Sequence, residues 1–184
     1  MNNLCLNLDF NIKLFKPEFD LFSLPKTRFQ LIGIDTINSQ LIEFLLSKGI
    51  EIRAVEVFYS EANFGGGIHS DGAGNEGTDV TKLNYIFGGK NSLMNWYDIK
   101  PNAKPNISMT DKGTPYVNYN NEDTIKIHSA QVGFPGIVQV AVPHNIRNFE
   151  EPRYCVCLVI HDAITKKRFT FGYLADLLKE FKEV

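Results

Sequence analysis

The run Gly136-Ile137-Val138-Gln139-Val140-Ala141-Val142-Pro143-His144 carries the clearest strand signal in this 184-residue chain. Side chains two apart on a strand point the same way, so Val138, Val140, Val142 and His144 share one face. Three valines mark that face as core. They set His144 at its rim, just past Pro143, where the strand is expected to end. A short turn later, Arg153 opens the apolar run Tyr154-Cys155-Val156-Cys157-Leu158-Val159-Ile160. On that strand Arg153 shares a face with Cys155, Cys157 and Val159, which aims an arginine inward over two small residues. A buried arginine needs a carboxylate or phosphate partner. The nearest acids, Glu150 and Glu151, lie in the preceding turn, so a ligand carboxylate fits; a surface pairing with one of those glutamates is the plainer alternative.

Similar strand signals recur along the chain. They cover residues 6–15 and 27–34, broken by Pro17 and Pro25, then 52–59, 82–87, 93–99 and 124–127. Many short strands between turn signals predict a mainly β chain, a sandwich or barrel of jelly-roll type. Two helices flank it. Asp35 is the expected N-cap of the first, whose Ile37, Leu41, Phe44 and Leu45 form an apolar stripe and whose C′ residue is Gly49. The second, at the C-terminus, groups Leu174, Leu177, Leu178 and Phe181. The polar stretch 100–124 reads as a lid or an insertion. No boundary interrupts residues 1–184, which are expected to form one domain.

Composition narrows the function classes. A 12% aromatic content leans towards β structure. A net charge of −2 and the lack of a basic stripe argue against phosphate-driven nucleic-acid binding. No segment reaches the ~20 apolar residues of a membrane span, and the first residues lack the charged and apolar regions of a secretory leader. Three cysteines are an odd number, and Cys155 and Cys157 sit too close on one strand to pair easily. A reduced, cytoplasmic setting is expected.

His69-Ser70-Asp71 lies within the glycine-rich stretch 64–77, among Gly65, Gly66, Gly67, Gly72 and Gly74. If the backbone there is extended, both side chains face one point. Two histidines and one carboxylate can hold one face of a ferrous ion and leave its other positions open. With His144, this makes a candidate metal triad; a flexible loop with a solvated histidine is the plainer reading. His128 and His161 are rival ligands. His161 is separated from Arg153 by eight residues of strand, roughly 25 Å, so those two cannot serve one small ligand.

Together, His69-Ser70-Asp71, His144 and Arg153 resemble the Fe(II)- and 2-oxoglutarate-dependent oxygenases. The run Pro143-His144-Asn145-Ile146-Arg147-Asn148, continuing to Pro152-Arg153-Tyr154-Cys155, is similar to aspartyl/asparaginyl hydroxylase-like and prolyl hydroxylase-like members. Leu83-Asn84-Tyr85 and Met94-Asn95-Trp96-Tyr97 resemble the strands that follow the His-x-Asp pair there. The likeness covers roughly residues 50–162. It implies a cupin-like double-stranded β-helix with Fe(II) on His69, Asp71 and His144, 2-oxoglutarate as co-substrate, and O2. Arg153 would pair with the distal carboxylate of 2-oxoglutarate. The implied reaction is hydroxylation of a C–H bond, with an amino acid, peptide or protein as substrate. Cys155 stands where many members carry Ser or Thr, so Arg153 is expected to work with another hydroxyl, Tyr85 or Tyr97; Asn84 joins the candidate co-substrate residues.

Three alternatives stand beside this. A cupin-like isomerase, dioxygenase or binding module could use the triad without 2-oxoglutarate, but it has no need of an inward Arg153. A metal-free jelly roll would serve interaction or structure. Calcium binding over 71–79 is weakened by Ala73 and Glu76 standing where such a loop wants an oxygen ligand and a glycine. Residues 88–92 lack the first glycine of a phosphate loop, and Lys90 is not followed by Ser or Thr.

Overall fold

The computed structural model describes residues 4–71, 80–109, 115–133 and 135–183. The strands form two six-stranded antiparallel sheets. The first holds, in spatial order, β1 (Cys5–Asn7), β10 (Gly136–Gln139), β5 (Thr81–Gly88), β12 (Arg153–Asp162), β3 (Ile50–Ser60) and β2 (Gln30–Ile32). The second holds β7 (Asn106–Met109), β8 (Pro115–Tyr119), β4 (Ile68–Asp71), β11 (His144–Arg147), β6 (Leu93–Ile99) and β9 (Thr124–Ala130). From β3 onward the chain passes repeatedly between the sheets: β3, β5, β10 and β12 in one, β4, β6, β9 and β11 in the other. This is the eight-stranded jelly roll, a mainly β, cupin-like double-stranded β-helix.

The alternation along the first sheet runs opposite to the usual polar-out pattern. Leu83, Tyr85, Val55, Val57, Val156, Leu158 and Ile137 point away from the second sheet into the larger core. There they meet Leu41 and Leu45 of α1 (Ser39–Ser47), Phe171 and Leu174 of α2 (Phe171–Leu177), and Leu8, Phe10 and Leu14 of the N-terminal chain. The intervening residues Lys82, Asn84, Glu56, Cys155, Cys157 and Arg153 therefore face the interior between the sheets. A smaller apolar cluster of Leu4, Val80, Met94, Trp96, Val138 and Val140 ties β10 to β6 across that interior. Within it the Trp96 indole donates from Nε1 to the Gln139 carbonyl at 2.8 Å.

Several expectations shift. The N-cap of α1 is Asn38, whose side chain accepts from the Gln40 amide; Asp35 sits in the preceding 3₁₀ turn, Ile34–Thr36. Gly49 does take the positive φ of a C′ residue, 75°. Residues 6–15 are not one strand, because Asn11 adopts φ 50° and turns the chain after β1. The run 136–144 is broken too. β10 ends at Gln139, Val140 bonds across to Val80 and Asp71, and His144 opens β11 in the other sheet. Within the polar stretch 100–124 the described residues carry β7 and β8, which extend the second sheet beside β4, and residues 110–114 lie outside the described residues. The C-terminal helix is short: α2 gives way to a 3₁₀ turn, Lys179–Phe181. Gly72, Gly74 and the rest of 72–79, including the calcium-loop candidates, lie outside the described residues. Among the described residues no helix is long and apolar enough to cross a membrane.

Candidate metal centre

β4 and β11 are neighbours in the second sheet, and their register sets His69 directly opposite His144. Opposed residues on antiparallel strands share a face. Asp71 lies two residues along β4, so it shares that face as well. The ligating atoms of His69, Asp71 and His144 all lie within 4.8 Å of one another, and the two imidazole centroids are 4.6 Å apart. Among the described residues this is the single group of three or more such side chains able to hold a metal ion. His128, exposed and with its ring tilted against Trp96, stands apart from it; so does His161, which bonds the Lys166 carbonyl.

Both rings are oriented in one way. His69 Nδ1 lies 3.0 Å from the Gly67 carbonyl, and His144 Nδ1 lies 2.9 Å from the Val142 carbonyl. A carbonyl only accepts, so each neutral ring donates from Nδ1 and leaves the Nε2 lone pair for a ligand. Asp71 Oδ1 faces His69 Nε2 at 3.8 Å, while Oδ2 accepts from Lys82 Nζ at 2.8 Å. Lys82 also pairs with Glu56 at 3.0 Å. Burial alone would raise the Asp71 carboxyl, but the charge of Lys82, with His144 and His69, holds it well below the usual carboxylate range. Lys82 moves the other way: burial would lower it, and Asp71 above all keeps it charged.

Burial, with a contribution from His69, pushes His144 down to about 4. This has a consequence for the metal-free protein. Between about 4 and 6.5 the unfolded chain binds a proton at this residue and the folded chain does not. Stability is therefore lost as pH falls through that window, by up to ~3 kcal/mol from this residue. Urea unfolding at pH 7 and pH 4.5 measures it. A His144→Gln variant should flatten that part of the profile; an unaltered slope would count against a neutral, buried ring.

Arg153 is only 5% exposed and faces the interior. Its guanidinium contacts the Cys155 thiol, its Nε has no hydrogen-bond partner, and among the described residues no carboxylate pairs with it. The turn after β5 makes room for it: a Cβ on Gly89 would lie 2.7 Å from the Arg153 side chain, and Gly89 has φ 61°. Cys155 lies within electrostatic reach of Arg153 and also of Lys82 and Glu56, so it links the arginine to the charged groups beside the triad. Asn84, also inward, has a buried side-chain oxygen without a partner. The two tyrosines expected to assist Arg153 point elsewhere. Tyr85 belongs to the larger core on the helix side of the first sheet. Tyr97 bonds Asn145, which faces away from His144. The sequence alone does not single out Lys82 and Glu56. Their polar-apolar alternation reads as a solvent face, and only the covered outer surface of the sheet reveals it as interior.

No family model and no curated protein matches the chain. Among solved structures, an oxalate decarboxylase shares 12% identity over 88% of this chain and 35% of its own length, with a TM-score of 0.32. A variant of the Bacillus subtilis oxalate decarboxylase shares 16% over 75% and 28%, with a TM-score of 0.30. A cupin 2 domain-containing protein from Halorhodospira halophila shares 11% over 89% and 84%, with a TM-score of 0.31. The chain spans about a third of the length of the oxalate decarboxylases it is similar to. These are cupin-fold proteins.

Proposed function

We propose that this chain is a non-haem Fe(II) oxygenase that uses 2-oxoglutarate and O2 to hydroxylate a C–H bond. The observation behind the proposal is an interior that joins a three-donor metal cluster to a buried arginine lacking a carboxylate. Two imidazoles and one carboxylate are the donor set of ferrous oxygenase centres, in which three positions stay open. Charge supports a dianionic co-substrate. Asp71 and Glu56 balance Lys82 and Arg153, so a divalent cation leaves two positive charges that a dicarboxylate would offset.

In this reading His69, Asp71 and His144 hold the metal, with both rings fixed by their Nδ1 bonds to backbone carbonyls. Arg153 orients the distal carboxylate of the co-substrate, and its burial strengthens that pairing by excluding water. When bound, the iron supplies dioxygen activation coupled to oxidation of the keto acid. The net change takes substrate C–H, 2-oxoglutarate and O2 to C–OH, succinate and CO2. The sequence resemblance points to an amino-acid side chain, free or within a peptide or protein, and the three free cysteines favour a reducing, cytoplasmic setting.

The test is anaerobic addition of Fe(II) and 2-oxoglutarate, reading the visible charge-transfer band of the chelate. The band is expected in the wild type and absent in a His69→Ala, His144→Ala double variant. No band in the wild type overturns the proposal. A second reading, a cupin-like metal isomerase or binding module without 2-oxoglutarate, draws on one observation: Cys155 is a weak donor, and Tyr85 and Tyr97 give Arg153 no hydroxyl on its own face. Stoichiometric metal without the band would favour it.

A further inference from the structure

We infer that Lys82 is a positioning residue that commits Asp71 to the metal through one oxygen; this rests on the metal-centre reading above. The two carboxylate oxygens have different surroundings. Oδ1 faces His69 Nε2, while Oδ2 accepts from Lys82 Nζ at 2.8 Å. Lys82 comes from the opposite sheet, and two features fix its position. Glu56 Oε2 takes a second proton of the ammonium at 3.0 Å. Val140 bonds both the Val80 carbonyl and the Asp71 amide, which ties the start of β5 to the end of β4. With Oδ2 engaged, Asp71 offers Oδ1 alone.

A carboxylate free at both oxygens can bind a cation through one or both. Binding through both closes a position that the proposed chemistry needs open. Lys82 prevents this without adding net charge, because Glu56 offsets it.

Mn(II) serves as the probe, since its bound waters are counted by water-proton relaxation. The wild type is expected to retain about three exchangeable waters, one for each open position. The variants are Lys82→Met and the double Lys82→Met, Glu56→Gln, which also neutralises the Glu56 carboxylate that the single change strips of its partner, leaving Asp71 to the metal, and preserves the fold if the single change does not. Either variant is expected to lose about one water, with Mn(II) affinity shifted by about 10–100-fold. An unchanged water count and affinity in the folded double variant would overturn the role of Lys82 while leaving the metal centre intact. A wild type that binds no Mn(II) would remove the metal-centre reading and this role with it.

Discussion

A His144→Ala variant is expected to lose divalent metal binding, with the dissociation constant rising well beyond the ~100-fold that loss of an outer partner costs. The ring brings one of three donors, and no neighbour can replace it. His128 is exposed beyond Trp96, and His161 is tied to the Lys166 carbonyl. Calorimetric titration with Co(II) or Fe(II) under nitrogen measures the effect, and far-UV circular dichroism checks that the two sheets persist. Retained micromolar affinity would mean that the cluster at His69, Asp71 and His144 is not where the metal binds.

The second large effect concerns Arg153, and it has two signs. Arg153→Met should weaken 2-oxoglutarate binding by a factor of at least ~30, since truncating one side of a buried charge pair costs 2–5 kcal/mol. Iron binding should be retained, because Arg153 lies outside the triad. In the absence of ligand the same variant should be more stable than the wild type, by about 1–4 kcal/mol. It replaces a buried guanidinium with an unpartnered Nε by an apolar chain of similar length. Thermal unfolding without ligand and equilibrium dialysis with 2-oxoglutarate read the two halves separately. If binding is unchanged and stability falls, Arg153 serves the fold and not a ligand.

The triad was legible in the sequence because each part depends on local geometry. His69 and Asp71 need only an extended backbone, and β4 supplies it. His144 was placed at the rim of a valine face, although its strand proved to start there in the second sheet. Arg153 was read inward from the period of β12 alone. What stayed hidden depends on how distant elements cover one another. Lys82 meets Asp71 only because β5 and β4 face each other across the interior. Tyr85 looked like a neighbour of Arg153 until α1, α2 and the N-terminal chain claimed the other face of β5 as core. The pair β7 and β8 is hidden in the sequence by the polar, Pro- and Asn-rich residues around it, and its own apolar residues give no core face, since Ile107 and Met109 of β7 stay exposed.

The placement of the larger core separates two demands on the same strands. On β3, β5 and β12, alternate positions hold the scaffold together, and the positions between them face the site. The demands of folding and of the site therefore fall on interleaved residues of one strand. Exchanges such as Cys155 for a hydroxyl residue can retune the site without touching the wall behind it. The mortar of that wall is the N-terminal chain with α1: Leu8, Phe10 and Leu14 of the one and Leu41 and Leu45 of the other seal it from outside.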